Sequence, residues 1–101
     1  MSQTVVCVAT FIANQGEAAS LHQALQALVE PTRSEAGCQS YVLHQGIDNP
    51  GLFTMIEHFE DMAAFELHSS QPYLESFKAQ CGEWVESVSV NLHRIADPTS
   101  A

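Results

Sequence analysis

Basic side chains are almost missing from this chain. Arg33, Lys78 and Arg94 stand against twelve acidic residues, for a formal charge of −9 over 101 residues. Such a balance repels phosphate backbones, which excludes nucleic acid as a partner and disfavours anionic membranes and polyphosphorylated substrates. Long apolar runs are missing too: nothing approaches the ~18 residues of a membrane span. The opening MSQTVVCVATFIA has neither a basic start nor a small-residue cleavage pattern, so no export signal is expected and the cytoplasm is the default location. Cysteine is sparse. Cys7, Cys38 and Cys81 are far apart with no C-x-x-C and read as reduced, mostly buried thiols. H-x-x-H and H-E-x-x-H spacings, G-x-G-x-x-G and the P-loop are all absent; neither a metal nor a flavin, nicotinamide or nucleotide cofactor is expected. What remains is a neutral or weakly acidic small-molecule ligand.

A hydrophobic content of 46 % is normal for a folded chain of this length, with room for one domain over residues 1–101 and one modest core. Thr4 to Ala13, rich in Val, Ile, Phe and Thr, reads as a strand, and Asn14-Gln15-Gly16 breaks it. Leu21, Leu25, Leu28 and Val29 then form a helical stripe. Pro31 lacks an amide donor, so this helix should end or kink near Glu30, with Gly37 as a left-handed cap at its exit. Cys38–Gly46 and Leu52–Glu60 read as a hairpin around the turn residues Asp48-Asn49-Pro50-Gly51. Asp61 sits where an N-cap belongs, Pro72 restarts the second helix, and Ser87–Ile95 is the last strand, ahead of a polar tail over 97–101 expected to fray.

The order is therefore βαββαβ. Right-handed crossovers fold it into an α+β, ferredoxin-like plait, a four-stranded antiparallel sheet with both helices on one face. The first strand is apolar at both parities, Val5 to Ile12, and those side chains cannot all face two helices. A spare apolar sheet face marks an interface; a homodimer joined through the sheets, a dimeric α+β barrel, is expected.

With the hairpin register its loop length suggests, Tyr41 lies opposite Glu57 and Leu43 opposite Met55, sharing a face with Phe53 and Phe59. A one-residue slip would mix this set with Val42, His44, Thr54, Ile56 and His58. The first set makes an apolar wall, holding one carboxyl and one phenol, suited to an aromatic ligand. A carboxyl among Met and Phe is costly to ionise, so Glu57 is a candidate acid or base, though a strand glutamate at a wet rim would look the same. His68, one turn beyond Ala64 and Phe65, can point toward the sheet and accept a proton, or sit on the surface with no duty. Trp84 reads as a core or interface anchor, and His22 and His93 as structural or exposed.

Two stretches resemble a known family: EPTRSEAGCQSYVLHQ (Glu30 to Gln45) and EHFEDMAAFELHSSQPYLESF (Glu57 to Phe77). They are similar to the antibiotic biosynthesis monooxygenase family, in its quinol monooxygenase branch. Pro31, Thr32, Arg33, Glu35, Gly37, Cys38 and Tyr41 match its helix-to-strand passage; Glu57, Asp61 and His68 match the next. Phe59 stands where tryptophan is usual, and Pro72-Tyr73 where a Pro-His pair is usual, with Phe77 retained. The resemblance implies a dimeric, cofactor-free monooxygenase acting on a hydroquinone or polycyclic phenol. His68 or Glu57 would deprotonate the substrate and Tyr41 would hold an oxygen, with Leu43, Phe53, Met55, Phe59, Tyr73 and Phe77 around the ring. Haem-degrading relatives place a histidine near the position of Phe77, which cannot ligate iron. An isomerase of a phosphorylated autoinducer breakdown product, with only Arg33, Lys78 and Arg94 for the phosphate, and a non-catalytic ligand-binding module are the alternatives.

Overall fold

The computed structural model describes residues 3–97. Its order is β1 (Val5–Ala13), α1 (Ala18–Gln26), α2 (Val29–Arg33), β2 (Cys38–Gln45), β3 (Leu52–Phe59), α3 (Met62–Ser69), α4 (Pro72–Gln80), a 3-10 turn over Cys81–Glu83, and β4 (Val85–Arg94). All strand pairs are antiparallel, in sheet order β2-β3-β1-β4. This is the ferredoxin-like plait with each crossover helix broken in two. The last expected feature, the frayed tail, falls largely on residues 98–101, outside the described residues.

The first helix breaks earlier than Pro31 alone would require. Regular α-helix stops at Gln26, the Leu28 amide bonds back to the Leu25 carbonyl in a tighter turn, and α2 restarts at Val29. Pro31 therefore falls in the first turn of a new helix, where an amide has no intrahelical partner and its loss costs little. In the second crossover Asp61 caps α3, its carboxylate accepting from the Ala64 amide at 2.8 Å, and Pro72 opens α4.

Gly37 does not take the left-handed conformation expected of it. Among described residues only Gly16, with φ of +84°, has a positive φ. Gly37 is needed for space instead: a Cβ there would lie 2.4 Å from the Ala64 Cβ. The turn after α2 passes that close to the first turn of α3.

Strict alternation decides the sheet faces. Val5, Cys7, Ala9, Phe11 and Ala13 of β1 are buried toward the helices, and the residues between them are half-buried on the opposite face. The hairpin register pairs Tyr41 with Glu57 and Leu43 with Met55, so Phe53, Met55, Glu57 and Phe59 share the helix side with Tyr41. Leu21, Leu25 and Leu28 pack on this face. On β4 the residues paired with Phe11, Ala9 and Cys7 are Val88, Val90 and Leu92; they remain 43–55 % exposed because no helix reaches over that edge. No helix among the described residues is long and apolar enough to cross a membrane.

Candidate active site

Between the helices and the β1–β4 side of the sheet lies a mostly apolar cavity of about 320 Å³. Its floor is Cys7, Ala9 and Phe11 of β1, Met55 and Glu57 of β3, Tyr41 of β2, and Val88 and Val90 of β4. Leu25, Leu28, Phe65, His68, Leu74 and Phe77 come down from the helices, and Lys78 and Cys81 complete the rim. Cys7 and Ala9 are small, which leaves a hollow over the central strand where larger residues would fill it.

The polar groups of this hollow converge from different elements. Glu57, Tyr41 and His68 are each no more than 5 % exposed. His68 reaches the sheet because α3 starts at the Asp61 cap, placing Ala64, Phe65 and His68 on one helix face. Its ring lies 4.8 Å from Phe59 and 5.5 Å from Tyr41, the latter edge-on. Nε2 is 3.7 Å from Glu57 Oε1, beyond hydrogen-bond length. Oε1 has no hydrogen-bond partner although it is buried. On the other side of the ring, Nδ1 is 3.0 Å from Glu35 Oε2, and the Tyr73 hydroxyl donates to that same oxygen.

This setting shifts the titrating groups. Burial pushes the Glu57 carboxyl up to about 8, a hydrogen bond from the Cys7 thiol opposing the change and the nearby charge of Glu35 adding to it. Burial likewise raises the Cys7 thiol to about 12, helped by the Glu57 charge. The Tyr41 phenol is raised first by burial and then by Glu57, so it stays a neutral donor.

The residues singled out from sequence are therefore divided. Tyr41, Glu57, His68, Met55 and Phe77 meet at the cavity. Phe53, Phe59, Leu43 and Tyr73 are not among its walls. Phe53 is sealed beneath α1, its ring stacked on His22 at 5.2 Å. Phe59 backs the His68 ring from below. Leu43 borders a separate groove with His22, Arg33 and His44. Tyr73 bonds Glu35 and, at 3.4 Å, the Pro31 carbonyl. The physical reason is coverage: α1 to α3 lie over the hairpin and fill that half of the face, leaving the hollow nearer β1 and β4. Glu35 is the polar residue missed. Its signal was its place in the P-T-R-x-E-x-G-C string. Among the described residues no three His, Cys, Asp or Glu side chains are grouped to hold a metal ion.

A ferredoxin-like plait with a carboxyl–imidazole pair buried against an apolar hollow defines a small-molecule-binding α+β protein. The sequence pattern of the family described as antibiotic biosynthesis monooxygenase matches residues 4–80, and the chain belongs to that family. It is 30 % identical to the Mycobacterium tuberculosis protein named "Putative monooxygenase Rv0793" over 102 residues, covering 100 % of both chains. Among solved structures, SO0527 from Shewanella oneidensis superposes with a TM-score of 0.89 at 37 % identity, covering 92 % of this chain and 91 % of that one. PA3566 from Pseudomonas aeruginosa superposes with a TM-score of 0.88, also at 37 % identity, over 95 % and 98 %. The Rv0793 structure gives 0.88 at 29 % identity over 93 % and 96 %. At the level of the family, these relatives support a monooxygenase.

Proposed function

We propose that this protein is a cofactor-independent monooxygenase that oxidises a small aromatic phenol or hydroquinone with dioxygen in the cavity beside His68. The observation that carries the reading is the orphaned Glu57 Oε1, buried at the wall of an apolar hollow and 3.7 Å from His68 Nε2. A buried polar atom without a hydrogen-bond partner is costly unless a ligand supplies one. A phenol fits: its ring fills the apolar space and its hydroxyl reaches the two polar atoms.

The chemistry needs few parts. His68 takes the phenolic proton, and the phenolate passes one electron to dioxygen. Recombination at a ring carbon gives a hydroperoxide that loses water. For a naphthol, one oxygen atom ends as the new quinone carbonyl, and the other leaves as water with two substrate hydrogens. The protein supplies a base, a fixed orientation and a dry site. Glu57, protonated below about pH 8, and the Tyr41 phenol serve as donors to the ligand oxygen. The second copy expected across the open sheet face would leave the cavity, on the helix side, accessible.

Phosphorylated sugars fit less well. Among the described residues Lys78 is the one basic side chain on the cavity wall; Arg33 donates through Nε to the Tyr41 carbonyl at 3.0 Å, and Arg94, opposite Val5 in the strand register, does not line the cavity. The test is oxygen uptake by metal-stripped protein offered a panel of naphthols and hydroquinones. Substrate-dependent uptake should fall by about 10²-fold or more in His68→Ala. Wild-type turnover retained in both His68→Ala and Glu57→Gln would sink the proposal, and no uptake above autoxidation would turn the site into a binding pocket.

A further inference from the structure

The phenol reading needs a bare nitrogen on His68, and an imidazole does not offer one at Nε2 by default. A neutral ring carries one hydrogen, and an unconstrained histidine favours having it on Nε2, which would present a donor to the cavity. We propose that Glu35, steadied by the Tyr73 hydroxyl, is the positioning residue that holds His68 in its Nδ1–H tautomer and leaves Nε2 as the acceptor facing the ligand. This rests on the reading of His68 as the base and names the residue that makes it one.

The geometry carries the argument. Glu35 Oε2 is 3.0 Å from His68 Nδ1 and also receives the Tyr73 hydroxyl. An ionised carboxylate only accepts hydrogen bonds, so the hydrogen in the first contact must sit on Nδ1. The contact is long-range: Glu35 comes from the turn after α2, His68 from α3 and Tyr73 from α4. Three elements thus aim one ring. The Glu35 side chain is only 12 % exposed, so water competes little for that oxygen. Glu35 is not a cavity wall residue; it acts through His68.

Two consequences follow for the site. When His68 takes a proton, the imidazolium lies against a carboxylate already in place, an orientation that stabilises the charge as it forms. The cavity also calls for a ligand that brings an O–H donor to Nε2, and an oxyanion lacking one gains no bond there. Substrates are therefore neutral phenols or enols as bound, ionised only within the site.

The test reads the tautomer directly, without substrate. Long-range proton–nitrogen correlation spectra of nitrogen-15-labelled protein separate a hydrogen-bearing ring nitrogen from a bare one, with His68→Gln assigning the signal among the five histidines. With the ring neutral, wild type should show hydrogen on Nδ1. Glu35→Met should move the tautomer ratio toward Nε2–H by at least about tenfold, the scale of a lost charge-assisted hydrogen bond. Tyr73→Phe, which leaves the carboxylate in place, should keep Nδ1–H as the major form with a larger minor one. A wild-type His68 carrying its hydrogen on Nε2, or an unchanged ratio in Glu35→Met, overturns the proposal. Should Glu35→Met fail to fold, the wild-type and Tyr73→Phe spectra decide it: Nδ1–H in both supports it, and Nε2–H in wild type overturns it. Oxygen uptake plays no part in this readout, so absence of uptake would count against the oxygenation reading alone.

Discussion

Glu57 is a buried carboxyl on the wall of the cavity. Among Met55, Phe59 and Tyr41 it stood out in the sequence as a carboxyl in apolar company, and its burial in the wall of the hollow explains why it holds its proton. Its ionisation in the folded protein is pushed from the usual carboxylate range up to about 8, mainly because burial penalises the charged form. The sign for stability follows. Between about 4.5 and about 8 the folded chain binds more protons at Glu57 than the unfolded chain, so this residue's contribution is fully present at acid pH. It is lost as pH rises through the folded value, by at most about 1.4 kcal/mol per pH unit. Glu57→Gln imitates the protonated form. Thermal melts should give similar midpoints for wild type and Glu57→Gln at pH 5, with the variant the more stable at pH 9; parallel pH dependences for the two proteins would contradict this. Glu35 was legible only as one letter of a motif. Its role depends on meeting His68 and Tyr73, 33 and 38 residues further along the chain, and no local pattern encodes that meeting.

Elements were legible where local chemistry specifies them. Alternation and turn residues place all four strands within two residues of where they lie, and the Asp61 cap and Pro72 mark the starts of α3 and α4. The early break at Ala27–Leu28 was not legible, because no glycine or proline marks it. Gly37 shows the same limit. A glycine after a helix suggests a left-handed cap, yet the reason for it is the neighbouring helix: Ala64 Cβ occupies the space a side chain would need. Gly37→Ala should destabilise by about 1–3 kcal/mol through overpacking, and less in an Ala64→Gly background, as a double-mutant cycle by urea denaturation would read. Additive costs would mean the close approach is not the reason for the glycine. Because this turn also carries Glu35, the contact helps set where that carboxylate lies.

At the scale of the molecule, one sheet face carries the helices and the other carries Val6, Val8, Ile12 and Ile56 half-buried, with Val42 exposed. β1 is central, paired with β3 and β4, so its apolar outward side chains sit in the middle of that open face. We expect two copies to cover these faces against each other. Sedimentation should report a dimer for wild type and a monomer for Ile56→Lys, since a lone charge in such an interface has no partner. A monomeric wild type would end that expectation. The exposed Val88, Val90 and Leu92 lie on the opposite, helix-side face, and Val88 and Val90 give the cavity an apolar floor toward β4.

Sequence alone determined the order of the strands and helical crossovers and the family, because alternation, turn chemistry and local motifs act over short stretches of chain, and it nominated Tyr41, Glu57 and His68 as candidates. Tertiary structure decided which half of the helix-side face is filled and which is hollow, and hence that Phe59 backs the His68 ring and Phe53 lies under α1 against His22, neither lining the cavity. It also decided that Glu35 and Tyr73 stand behind His68. Those outcomes depend on how far each helix extends over the sheet, a packing balance among residues from every element that short-range patterns do not contain.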